Sequence, residues 1–133
     1  MDEEIILPFT IYSGHEFVMA EGLAKLRPGG VLLEFEARDS FLGIVRMGLR
    51  KIDIPLDAIA SVEVRQSWWQ TAVVLRVKTL EVIKEIPGYR HGEIALRVRR
   101  KDRREAERFA AMLEGYLTEA ALERIEGESE AKG

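Results

Sequence analysis

Few side chains in this sequence are spaced so that they could do chemistry together. His15 and His91 each stand beside a carboxylate, Glu16 and Glu93 respectively. A metal ion needs three or four converging ligands, and no His-x-x-x-His or similar spacing exists, so both histidines read as surface residues near turns. The chain has no cysteine, which excludes disulfides, thiolate metal sites and cysteine nucleophiles. No Gly-x-Ser-x-Gly elbow, Gly-x-x-x-x-Gly-Lys loop or Gly-x-Gly-x-x-Gly fingerprint occurs, and Gly29-Gly30 reads as a turn. Glu34 and Glu36 share the outward face of a strand and read as solvated, not as an acid–base pair. The expectation is therefore a non-enzymatic protein with no catalytic residue, metal or cofactor.

Two features remain that could bind something. The first is the basic run Arg97, Arg99, Arg100, Lys101, Arg103, Arg104 and Arg108; residues 90 to 108 hold eight basic and four acidic side chains, and residues 114 to 133 hold six acidic and two basic. Such a run can meet phosphates on a membrane. No aromatic interleaves it as stacking on bases requires. Its plainer reading has Arg97 and Arg99 pointing outward from the last strand while Arg103 and Arg104 solvate a helix start. The second feature is Trp68-Trp69. Neighbours on a strand face opposite ways, so the pair divides into one buried and one exposed indole unless it forms a tip that presents both to a partner.

The elements that must position these residues follow from periodicity. Period-two alternation marks Phe17 to Leu26, Val31 to Phe35, Val45 to Ile54, Val62 to Val64, Val73 to Val77 and Ile94 to Val98 as strands, with a short seventh around Val82 to Ile86. Turns are expected at Arg27-Pro28-Gly29-Gly30, at Arg38-Asp39-Ser40 beside Phe41 and Leu42, at Gln66 to Gln70 and at Pro87-Gly88. After Lys51 the apolar parity shifts to Ile52 and Ile54, which marks a bulge or a bend in a long strand. From Asp102 the period becomes 3.6. Asp102 and Glu105 have capping-box spacing, and Ala106, Phe109, Ala110, Leu113, Tyr116, Leu117 and Ala120 form one apolar stripe.

The 133 residues are 47% hydrophobic and 32% charged with a formal charge of −3. This is a one-domain globular mixture, and its mild acidity argues against broad nucleic-acid binding. The segment Met1-Asp2-Glu3-Glu4, followed by Ile5-Ile6-Leu7 and Pro8, lacks the basic start and long apolar stretch of a secretory signal. No apolar run approaches the ~20 residues of a membrane span. The expected location is cytoplasmic.

About seven antiparallel strands followed by one terminal amphipathic helix make a mainly β (α+β) chain, in which a bent barrel is capped by the helix. The stretches Ile54-Pro55-Leu56-Asp57-Ala58-Ile59-Ala60-Ser61-Val62 and Gly92-Glu93-Ile94-Ala95-Leu96-Arg97-Val98, with the helix following from Asp102, resemble the pleckstrin-homology-like fold, especially its small bacterial members. The resemblance covers roughly residues 16 to 118 of a single domain over 1–125, leaving 126–133 as a charged tail expected to fray. Domains of this fold bind lipids, peptides or proteins, or serve purely structural roles, so the resemblance implies the fold more than any one function. Members that grip phosphoinositides place basic residues on the first two strands; here Lys25 and Arg27 precede the turn, Glu34 and Glu36 follow it, and Arg38 comes too late. The function expected is binding or assembly through protein contacts at Trp68 and Trp69, with another protein or a second copy as partner. The alternative is an anionic membrane surface met by Arg97, Arg99, Arg100, Lys101, Arg103 and Arg104. A third reading is a small barrel holding an apolar ligand.

Overall fold

The computed structural model describes residues 4–12, 17–38, 45–84, 86 and 91–132. Its seven strands are β1 (Ile5–Tyr12), β2 (Val18–Arg27), β3 (Gly30–Arg38), β4 (Val45–Pro55), β5 (Ile59–Gln66), β6 (Thr71–Val77) and β7 (Glu93–Val98), followed by the helix α1 (Arg103–Lys132). All neighbours are antiparallel, in the order β4-β3-β2-β1-β7-β6-β5. The fold is mainly β with one C-terminal helix. Among the described residues the sheet is open, with β4 and β5 at its edges, and not a closed barrel.

The sheet buries one face because its strands alternate. Ile5, Leu7, Phe9 and Ile11 of β1, Val31, Leu33 and Phe35 of β3, and Ile94, Leu96 and Val98 of β7 all point inward. α1 packs against β5, β1 and β6 on this face. Its stripe closes the core through Ala106, Phe109, Ala110 and Leu113, with Tyr116 and Leu117 half-buried. The helix continues through Lys132, past the point where the sequence places the start of a tail.

Two local expectations are corrected, and one strand is added to those read from alternation. β1 exists despite Pro8, whose missing N–H is tolerated because β1 meets β7 in register only at Thr10–Arg97 and is close to an edge elsewhere. The stretch expected as a short strand around Val82 is a 3-10 turn, Leu80–Val82, and Ile83 and Ile86 bury themselves three residues apart as a turn allows. The irregularity in β4 lies before Leu49, not after Lys51. Register with β3 runs unbroken from Pro55 to Leu49 and slips before Val45, where Gly48 has φ +62°.

Two other glycines are required by close approach. Gly30, at φ +144°, lets β3 begin against the backbone at Ile54 while Leu56 N–H donates to Gly29 O at 2.9 Å. Gly22 lies against β3 so closely that a β-carbon would come within 2.6 Å of Phe35 Cα. The expected turn at Asp39-Ser40 with Phe41 and Leu42, the Pro87-Gly88 turn and His15 lie outside the described residues.

Candidate interaction surface

The face of the sheet turned away from α1 carries the unusual side chains. Register places one residue from each strand in a single row: Arg65, Ala72, Arg97, Thr10, Glu21, Glu36 and Leu49. The row is basic at the β5–β7 end and acidic at β2–β3, where Glu21 and Glu36 stand directly opposite each other. An open groove of about 520 Å³ follows its acidic half, between Glu36, Leu49, Leu23 and Arg97. Glu34 lies beside this groove but is half-buried and takes a 2.8 Å ion pair from Lys25 Nζ, so it is not the freely solvated residue the alternation suggests. That hydrogen bond holds the Glu34 carboxyl below its ordinary value. Glu93 is held low in the same way, first by a hydrogen bond from Arg76.

Arg97 sits at the centre of the basic half. Its guanidinium carbon lies 4.1 Å from the centroid of the Tyr12 ring, a cation–π contact that fixes the side chain across the β1–β7 seam. Beside it is a recess of about 260 Å³ whose charged walls are Arg97, Arg99 and Arg100 and whose aromatic walls are Tyr12 and Trp69. Among the described residues no carboxylate lines it.

Trp68 and Trp69 lie at the tip of the β5–β6 hairpin, and both are exposed, at 80% and 63%. Of the two outcomes open to the pair, the structure has the tip that exposes both indoles, because strand alternation ends at Gln66, before the pair. The rings meet edge to face with centroids 5.1 Å apart. The tip is braced from three sides. Ser67 N–H donates to Gln70 O at 2.9 Å, and Arg100 Nη2 donates to Trp68 O at 3.0 Å. At the hairpin base Arg103 Nη2 donates to Gln66 Oε1 at 2.8 Å, and Gln66 Nε2 donates to Glu107 Oε1 at 2.9 Å.

The basic run is thus divided between structure and surface. Arg97 points outward as expected but is stacked, Arg99 reaches Asp102 at 3.3 Å, and Arg100 and Arg103 hold the tip to the start of α1. The carboxylates of the expected capping box are engaged by arginines instead, Asp102 by Arg99 and Glu105 by Arg108 at 2.9 Å. Lys101 and Arg104 are exposed and make no ion pair among the described residues. The run does not converge on one point. Arg97, Arg99 and Arg100 share the recess; Lys101, Arg103 and Arg104 do not line it.

Sequence reasoning missed Tyr12, Thr10 and the charged row. No local signal could have shown them, because each depends on which strands pair and in what register.

Among the described residues no group of three or more His, Cys, Asp or Glu could hold a metal ion, and no helix is long and apolar enough to cross a membrane. His91 is exposed in a turn with φ 53°. Comparison with protein-family models, with curated proteins and with solved structures returns no match to this chain.

Proposed function

We propose that this chain is a non-enzymatic, cytoplasmic binding module of pleckstrin-homology-like architecture that works through protein contacts at the Trp68–Trp69 tip. The observation that carries the reading is a pair of adjacent indoles, each mostly exposed, on a hairpin held rigid by Arg100 and by the Gln66–Arg103–Glu107 contacts. Tryptophan contributes large contact area at little conformational cost and is enriched among residues that dominate binding energy. A braced tip loses little further freedom on docking, so more of the contact energy appears as affinity. The strand order and terminal helix support the architectural part of the reading.

The test compares the full chain with its Trp68→Ser/Trp69→Ser variant in light scattering across a concentration series and in retention of partner proteins. Weaker self-association or partner retention in the variant supports the reading. Unchanged oligomeric state together with unchanged retention overturns it.

A second reading, an anionic membrane surface, is favoured by Lys101 and Arg104, which are exposed and make no ion pair among the described residues. Tryptophan and basic side chains together suit a lipid headgroup layer. Sedimentation with anionic vesicles at low and high salt separates the two: no pelleting at either salt overturns the membrane reading.

A further inference from the structure

The basic recess at the tip and the far end of α1 have matching chemistry and cannot meet within one molecule. Resting on the protein-docking reading above, we infer that the occupant of the recess formed by Arg97, Arg99 and Arg100 beside Trp69 is the acidic end of α1 from a second copy of this chain.

The helix is thirty residues long, yet its buried stripe ends near Leu117. From Ala121 to Gly127 every residue is exposed, so two turns project from the body with no side covered. A helix this bare gains nothing from packing, and isolated turns are marginal in water. The projecting part has one patterned face. Glu119, Leu122, Glu123 and Glu126 fall at i, i+3, i+4 and i+7, and Leu122 is 54% exposed among the three carboxylates. None of these carboxylates has an ion-pair partner among the described residues. The complementary surface is the recess walled by Arg97, Arg99 and Arg100 with an indole and a phenol ring, in which Arg99 is shared with Asp102 at 3.3 Å, Arg100 with Trp68 O, and Arg97 is stacked on Tyr12. Carboxylates meet guanidiniums in charge-assisted, often bidentate hydrogen bonds, and the leucine meets the exposed indoles.

Geometry makes the pairing intermolecular. The recess lies where α1 begins, and Glu119 lies sixteen residues beyond Arg103, about 24 Å along a rigid axis at 1.5 Å per residue. The arm of a copy therefore cannot reach its own recess, whereas it can reach that of a neighbour. The contact joins two different surfaces, so it repeats head to tail and gives an open chain or a ring.

Three variants of the full chain test this by light scattering, all at exposed positions outside the core. The natural chain should show at least a roughly twofold rise in average mass with concentration in about 50 mM NaCl and return to single-chain mass in about 500 mM, where exposed charge pairs are screened. The arm variant Glu119→Lys/Glu123→Lys/Glu126→Lys and the recess variant Arg99→Glu/Arg100→Glu should each stay at single-chain mass. Mixed together, these two should form a complex, because the reversed arm of one fits the reversed recess of the other. A natural chain that stays single at low salt overturns the inference, as does a mixture that fails to pair. Assembly that survives arm reversal but is lost in the Trp68→Ser/Trp69→Ser variant removes the arm as the occupant and leaves the tip as a docking site. Assembly lost in neither, with partner retention also unchanged in the tryptophan variant, overturns both.

Discussion

Arg97 of β7 lies over the ring of Tyr12 of β1, 4.1 Å from its centroid, at the seam where the two strands share the register pair Thr10–Arg97. The contact joins the first and last strands of the sheet. Tyr12→Leu should destabilise the chain, and a double-mutant cycle with Arg97→Ala should give a coupling of about 0.5–1 kcal/mol in urea unfolding. A coupling indistinguishable from zero would mean that the stacked geometry does not persist in solution.

The Trp68–Trp69 tip contributes surface, not stability. Replacing both indoles with serine should change the unfolding free energy by no more than about 0.5 kcal/mol. The chain has two tryptophans, both at this tip. Fluorescence of the folded protein should therefore resemble that of solvated indole and shift little on unfolding. A strongly blue-shifted folded spectrum contradicts the exposed arrangement.

Phe109 is fully buried beneath the sheet, at the centre of the helix stripe. Phe109→Ala should cost about 3–5 kcal/mol, the usual range for emptying such a site. Thermal unfolding by circular dichroism reads the loss, and a change under about 1 kcal/mol would show that α1 is not held as described.

Gly22 admits no side chain without moving backbone, since a β-carbon would sit 2.6 Å from Phe35 Cα. Gly22→Ala should destabilise by at least about 1–3 kcal/mol, because the nearby atoms belong to β3 and cannot rotate aside. Gly29→Ala, which meets nothing, is the control.

Glu34 and Glu93 both have carboxyls held below their ordinary value, by Lys25 and Arg76 respectively. A lowered folded value means that the unfolded chain takes up the proton first. The stabilisation is present above the ordinary glutamate range, near 4.5, and is lost as pH falls from there through the folded values. Stability should therefore decline below about pH 5, and Glu34→Gln/Glu93→Gln should flatten that decline while lowering stability at neutral pH. An acid limb unchanged in slope counts against the two ion pairs.

Much of the fold was legible because its elements are local patterns. The stripe from Ala106 to Leu117 and the alternation of Val31, Leu33 and Phe35 each announce their own geometry, and the structure buries them as read. What escaped was non-local or compensated. Pro8 hid β1, since a mid-strand proline is admissible only where the neighbour's ladder is short, and that depends on β7. Ile83 and Ile86 imitated a strand because apolar burial alone does not set a period. The candidate surface was half legible: its tryptophans and arginines stand out by type. The recess that joins Arg97 to Tyr12 exists only once residues 85 apart in sequence are paired.

That seam also dictates an order of assembly. β1 to β4 are successive neighbours, as are β5 to β7, so each block can zip from its own hairpins. The two blocks are joined by β1 and β7, the pairing with the greatest sequence separation in the sheet. Closing a connection of that length is the slow, entropically costly step. During synthesis β1 must wait with one side unpaired until the chain from Thr10 to Arg97 has followed it, and through that interval the nascent chain presents an open strand edge to whatever is nearby.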